Sequence, residues 1–286
     1  MFAEFVLEKR PTLSKGSVST YASLLKNLYK KLFGDDVDFE KFHESKKIIA
    51  YLNDVPCSKR KTLLSALVVV TNLQEYRTLM VADLQSYRNN LKLYEKTDKQ
   101  VDSWVTFDEV KSKLEELRAE PLMRKRTHSM EELMIIQNYV ILCLTSGVYI
   151  PPRRSKDWTE MAVKNVPIPC NYMDNNVFYY SVYKTANTYG LQTEEIPKVL
   201  GKILKRWIKI SKNDYLLFDI NGKKLTSDTL NKKINKIFGK NVGTSQLRHS
   251  YLDSLFHQKI AMDKSIESTM KSMGSSPDQL IHYIKI

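Results

Sequence analysis

A helix without a polar face has to sit inside a protein, and residues 134–144 spell one. Met134, Ile135, Tyr139, Val140, Ile141, Leu142 and Leu144 leave almost no side for water, so this helix is expected at the centre of a domain, with other elements packed round it. Its start is marked by Ser129-Met130-Glu131-Glu132, a serine with an acid three residues on, which is the pattern of a capping box. Gly147 ends it. A second box, Thr106-Phe107-Asp108-Glu109, opens a helix with Val110, Leu114 and Leu117 inward. Glycine and proline are sparse, 9 each in 286 residues, so long loops should be few and the chain is predicted mainly α.

The first 95 residues read as a separate bundle of four or five helices. An N-terminal arm over 1–16 precedes a helix over 17–33, whose Tyr21, Leu24, Leu25, Leu28 and Leu32 share one face and which Gly34 stops. A shorter helix carries Phe39, Phe42, Ile48, Ile49 and Leu52. Another opens at Ser58 with Leu63, Leu64, Leu67 and Val68 buried, and a last one runs from about Tyr76 to Tyr94. Lys59, Arg60 and Lys61 fall at a helix start, where cations and free backbone N–H groups together suit phosphate; a solvated charged face is the other reading of the same three residues. Residues 96–103 are polar and aperiodic apart from Val101 and read as a linker, leaving 104–286 as the second domain.

The net charge of +13 favours a polyanionic partner, with nucleic acid first, and it is spread along the chain rather than held in a tail. In the second domain the basic residues gather at Arg118, Arg124, Lys125, Arg126 and His128 and along two helices, residues 197–210 and 226–238. Residues 177–183 alternate β-branched and aromatic side chains as a strand does. Residues 192–196 pair back as a second strand, with Lys184 entering the turn between them. A small β-sheet therefore accompanies the helices. Three cysteines and five histidines form no metal pattern, so no metal and no cofactor are expected, and the thiols read as reduced. No apolar run approaches the roughly 18 residues that cross a bilayer, and the start of the chain lacks a signal peptide. An intracellular protein that does not engage membranes is expected, in the cytoplasm or nucleus of a host cell.

Two stretches carry chemistry. The first is Tyr149-Ile150-Pro151-Pro152-Arg153-Arg154-Ser155-Lys156-Asp157-Trp158, where two prolines turn the chain out of the buried helix and deliver two arginines. The second holds Ser245-Gln246-Leu247-Arg248-His249-Ser250 and then Gly274-Ser275, with Tyr283 nine residues beyond Gly274. Arginine, a glycine turn and a late tyrosine suit a tyrosine nucleophile attacking a phosphodiester. The developing charge needs neutralising, which bidentate guanidiniums do well, and the leaving oxygen needs a proton.

These boxes resemble those of the tyrosine recombinases, the phage-type integrases, in the form carried by large DNA viruses and mobile elements. The resemblance implies Tyr283 as nucleophile, Arg248 as the second catalytic arginine and Lys184 as general acid. The first arginine is Arg154 if Asp157 stands on the family's acid, or Arg153 if Ser155 stands on its small residue; the spacing favours Arg154, with Arg153, Asp157 and His249 supporting. Ser245 and Ser275 stand where the family has a histidine and a histidine or tryptophan. Serine still hydrogen-bonds but brings neither charge nor a useful pKa, so the two departures put the rate at issue.

By the same resemblance the first domain is a helical core-binding domain and the second is catalytic; on charge, Lys59, Arg60 and Lys61 of the first and Arg124, Lys125 and Arg126 of the second are the expected DNA contacts. The implied partner is double-stranded DNA, gripped by a clamp of two domains, with a monomer in the free state and a tetramer on DNA. The implied reaction is site-specific recombination or integration through a 3′-phosphotyrosine. A type IB topoisomerase and a DNA-binding protein that has lost cleavage are the alternatives.

Overall fold

The computed structural model describes residues 1–91, 98–164 and 169–273. The chain divides into two compact units, Met1–Lys96 and Thr97–Ile286.

Unit 1 is all helix: α1 (Phe2–Lys9), α2 (Lys15–Phe33), a 3-10 turn at Phe39–His43, α3 (Ser45–Leu52), α4 (Cys57–Thr71) and α5 (Gln74–Leu91). The arm expected at the N-terminus is thus helical. Its Val6 is fully buried, and Phe5 stacks on Phe39 with ring centroids 4.0 Å apart, so tertiary contact fixes a helix too short to persist alone. The single helix expected over Phe39 to Leu52 is broken at Glu44 into the 3-10 turn and α3. Asn72, in the left-handed conformation at φ 56°, caps α4 and turns the chain into α5. Leu25, Phe42, Ile48, Leu52, Leu64, Leu67 and Tyr76 fill the centre.

One charged pair lies between these helices. Arg60 of α4 donates from Nε and Nη2 to the two carboxylate oxygens of Asp83 on α5, at 2.7 and 2.6 Å, and from Nη1 to the Leu52 carbonyl at the end of α3. The sequence leaves Arg60 open between a phosphate contact and a solvated face. Its guanidinium is instead spent inside the bundle.

Unit 2 comprises α6 (Asp98–Ser103), α7 (Phe107–Glu116), α8 (Glu120–Met123), α9 (Met130–Thr145), α10 (Ser155–Thr159), β1 (Met161–Ala162), β2 (Asn171–Asp174), β3 (Val177–Tyr180), α11 (Ala186–Tyr189), β4 (Gln192–Glu195), α12 (Lys198–Ser211), α13 (Ser227–Phe238) and α14 (Thr244–Ser272). Both capping boxes form. Thr106 and Glu109 exchange hydrogen bonds with each other's backbone, as do Ser129 and Glu132. α9 is the centre: Ile136 and every residue from Tyr139 to Leu144 are fully buried, with α7, α8, α12, α13 and α14 packed on it. Gln137 is a buried amide on this helix. It donates to the Phe218 carbonyl and accepts from the Phe218 N–H, both at 2.9 Å, so an irregular apolar segment meets α9 with its backbone satisfied. Cys57, Cys143 and Cys170 are free thiols, and burial pushes Cys143 up to about 12.

The sheet runs β1-β2-β3-β4, with β1 parallel to β2 and the others antiparallel. Asn175 and Asn176, at φ 45° and 65°, make the tight turn of the β2–β3 hairpin. Trp158 of α10 meets Phe178 and Tyr180 edge-on and seats α10 against the sheet. The protein is therefore mainly α with one small sheet.

Past α9 the chain turns at Gly147, at φ 88°, where a Cβ would come within 2.5 Å of the Tyr251 ring on α14. Both the backbone conformation and the close approach require glycine. Gly147→Ala is expected to lower stability by about 1–3 kcal/mol, measured by denaturant titration of the whole chain. A loss below a few tenths would show that the turn relaxes to another backbone conformation and Tyr251 swings clear.

Candidate active site

The turn after α9 continues through Pro151 and Pro152, extended pieces that cannot prolong the helix, and places Arg153 and Arg154 at the start of α10. Arg154 takes the N-cap position. On the other side, the first turns of α14 are fixed against the start of unit 2. Gln246 donates to Ser103 Oγ at 2.7 Å, the Ser250 hydroxyl donates to the Val105 carbonyl, Phe107 meets Tyr251 edge-on, and Leu247 is fully buried. These contacts leave Arg248 facing outward. Its guanidinium, with Arg153, Arg154, Asp157, Tyr183 and Thr185, lines one cleft of about 630 Å³.

The three arginines are held differently. Arg153 is committed. It donates to Asp157 Oδ2 at 3.0 Å and to Gln192 Oε1 at 2.8 Å, and it lies over the Tyr180 ring at 3.8 Å. Arg154 is exposed, and among the described residues neither it nor Arg248 has a carboxylate partner. Arg248 is partly buried, and burial first, then the charge of Arg154, lowers its pKa from the ordinary value. Two unpaired guanidiniums in one cleft repel each other and recover that cost when an anion enters. Of the two arginines open in the sequence, Arg154 is the exposed one, and Arg153 braces the turn.

Asp157 is almost fully buried, at 3% exposure. Burial raises its pKa from the ordinary value, and Arg153 opposes the rise. A carboxyl that holds its proton more tightly folded than unfolded contributes stability that is fully present below the unfolded value of about 3.9 and lost as pH rises through the folded value. The non-titrating Asp157→Asn variant should therefore gain on wild type in thermal midpoint as pH climbs through that window, with a flat difference above it. A difference that does not change with pH contradicts the raised value.

Lys184 is exposed on the connection from β3 to β4, between Tyr183 and Thr185, which line the cleft. The strand expected to reach Tyr183 ends at Tyr180, paired with Gln192. The connection beyond Tyr180 is more than a plain turn. Ser181 and Val182 bind the Asn171 side chain, and one helical turn, α11, closes on Gly190, whose carbonyl accepts from the Tyr183 hydroxyl at 2.8 Å. Asn171 was missed in the sequence, where a polar residue near strands signals only a loop.

Ser245 is exposed one helical turn before Arg248, and His249 is exposed beside it. Ser275 and Tyr283 lie outside the described residues. Lys59 is exposed, whereas the Lys61 ammonium sits over the Tyr87 ring at 2.9 Å. Arg124, Lys125 and Arg126 are exposed after α8, and with Arg206, Lys209 and Lys212 from the end of α12 they line a basic hollow of about 610 Å³. Lys125 also pairs with Glu132. Among the described residues, no group of three histidine, cysteine, aspartate or glutamate side chains is placed to hold a metal ion, and no helix is long and apolar enough to cross a membrane.

No protein-family model and no curated protein sequence matches the chain. Solved structures do. A dimer of lambda integrase residues 75–356 bound to a COC′ core site aligns over 87% of this chain and 86% of that one, at 13% identity and a TM-score of 0.50. A longer lambda integrase dimer on the same site aligns over 87% and 67% of the two chains, at 14% identity and 0.48. XerA recombinase aligns over 90% and 83%, at 13% identity and 0.37. At this identity the first of these likenesses establishes a shared fold.

Proposed function

We propose that the protein breaks and rejoins duplex DNA through a tyrosine, as a site-specific recombinase or integrase. The observation that carries this reading is the pair of guanidiniums of Arg154 and Arg248, without an ion pair among the described residues, brought from distant parts of the chain into one cleft. Such a cleft suits a phosphodiester, whose non-bridging oxygens gain charge as the fifth bond to phosphorus forms. A metal-free mechanism of this kind needs that charge met by side chains, and guanidiniums stay protonated throughout.

In this reading Arg154 and Arg248 bind the two non-bridging oxygens. Arg153 and Asp157 hold the turn that presents Arg154. The Tyr283 hydroxyl releases its proton to solvent as its oxygen attacks phosphorus and forms the phosphotyrosine bond, while the bond from phosphorus to the 5′-oxygen breaks. Lys184 gives that oxygen its proton. Ser245, one turn before Arg248, keeps a hydroxyl where the resemblance has a histidine, and Ser275 does so beyond the described residues; both are expected to slow the reaction rather than abolish it. The exposed Lys59 and the hollow at Arg124, Lys125 and Arg126 add contacts to the DNA backbone, whose strength should fall steeply with salt. Support comes from the shared fold, since the lambda integrase fragment with that fold is bound to a DNA core site.

The test begins by selecting bound sequences from a random duplex library. Two copies of the selected site are then incubated with the protein in chelator. Recombinant product supports the reading. Relaxation of a supercoiled plasmid without recombinants would reassign the protein to topoisomerase chemistry. Tight binding with neither product would leave a DNA-binding protein that no longer cuts.

A further inference from the structure

Asn171 opens β2 and is fully buried, and its side-chain amide uses all of its hydrogen-bonding capacity on backbone. Nδ2 donates to the Asp157 carbonyl at 2.9 Å and to the Val182 carbonyl at 3.0 Å. Oδ1 accepts from the N–H of Ser181 at 2.9 Å and of Val182 at 2.8 Å. The two ends of this bridge matter. Asp157 is the residue that braces Arg153. Val182 lies two residues before Lys184, in the stretch where β3 has left its pairing with β4. No ladder bonds remain to fix the chain there, and the Asn171 amide replaces them.

We infer that Asn171 is a positioning residue, which sets the Lys184 turn at a fixed distance from the arginine turn. This rests on the role proposed above for Lys184. A general acid serves only while its proton reaches the leaving oxygen, and an error of about 1 Å already costs on the order of 10²-fold in rate. Tyr183 closes the far side of this turn through its hydroxyl on the Gly190 carbonyl, and the backbone on the near side, at Ser181 and Val182, is met by Asn171. The buried amide supplies the constraint from underneath, and it ties acid and phosphate clamp to the same frame. Aspartate at this position keeps the shape and an acceptor for Ser181 and Val182 but loses both donors, so the tie to Asp157 breaks.

The experiment uses the whole chain on its selected duplex site, with either the natural 5′-oxygen or a 5′-sulfur at the scissile bond. When sulfur leaves, the phosphorus–sulfur bond breaks and a thiolate departs without needing a proton, since thiols ionise near pH 8.5 while alcohols do not. Asn171→Asp should cleave the oxygen substrate on the order of 10²-fold more slowly than wild type and the sulfur substrate at the wild-type rate. Lys184→Ala should behave the same way, and Arg248→Ala should be slow on both. An equal loss on both substrates for Asn171→Asp would show general damage to the cleft and overturn the inference. If Asn171→Asp does not fold, Asn171→Ser takes its place; failure of both would make Asn171 a folding residue and overturn it too. Should wild type cleave neither substrate, the strand-transfer reading itself fails, and this inference with it.

Discussion

Replacing Arg248 by alanine is expected to slow strand cleavage by roughly 10²–10³-fold while the thermal midpoint stays level or rises slightly. The two effects have one cause. Arg248 is partly buried beside Arg154, no carboxylate among the described residues forms an ion pair with it, and burial and that neighbour lower its pKa against the weaker opposing charge of Asp157. In the free protein the guanidinium is therefore a cost, recovered only when an anion fills the cleft. Removing it relieves the native state and deprives the transition state of a donor, the trade that active sites commonly make. Arg248→Lys should recover little, because an ammonium cannot reproduce two parallel N–H donors. Arg153→Ala should differ in kind. Its guanidinium is engaged by Asp157, Gln192 and Tyr180, so its loss should lower the midpoint as well as the rate. Single-turnover cleavage beside thermal melting separates the two patterns. An Arg248→Ala chain that melts much earlier than wild type would show the residue to be structural.

The second large effect lies in unit 1 and does not depend on the functional reading. Asp83→Ala is expected to destabilise that unit by about 3–5 kcal/mol, because it leaves the Arg60 charge partly buried and unpaired. Asp83 is 3% exposed and its two oxygens take both arms of the Arg60 fork. A domain stable by about 5–15 kcal/mol loses a large share of that. The double variant Arg60→Met with Asp83→Leu should recover most of the loss, since an apolar pair of similar volume avoids burying charge at all. Urea titrations of the two variants make the comparison. A loss under about 1 kcal/mol for Asp83→Ala would place the pair in effective contact with water.

Arg60 also shows where a sequence stops being informative. Lys59-Arg60-Lys61 at a helix start reads as a phosphate contact or a solvated face because only neighbours along the chain are visible. The partner that claims Arg60 sits one helix later, and nothing local points to it. By contrast the capping boxes at Thr106 and Ser129 were legible because both partners lie within four residues. The position of α9 was legible because an apolar surface on every side has one physical outcome. Gln137 and Asn171 were not. Each is a lone amide whose worth depends on backbone brought from far along the chain, Phe218 in one case and Asp157 with Val182 in the other.

The cleft falls between these extremes. The sequence left Arg153 and Arg154 both open, as adjacent arginines after two prolines. Burial and pairing separate them, because Arg153 donates to Asp157 and Gln192 and, among the described residues, Arg154 forms no ion pair. The short helix α1 was missed for a related reason. Its eight residues carry too little pattern, and the aromatic contacts that hold it come from Phe39 and Phe42.

If this cleft receives a phosphodiester and passes it to a tyrosine, the link can be trapped. The most direct measurement is a nicked duplex carrying the selected site, on which the cleaved strand end diffuses away and cannot be rejoined. Wild-type protein should accumulate as a covalent DNA adduct that survives denaturation, peptide mapping should place the linkage at Tyr283, and Tyr283→Phe should form none. A wild-type chain bound tightly to the same duplex without any adduct, or an adduct that persists in Tyr283→Phe, would contradict the account.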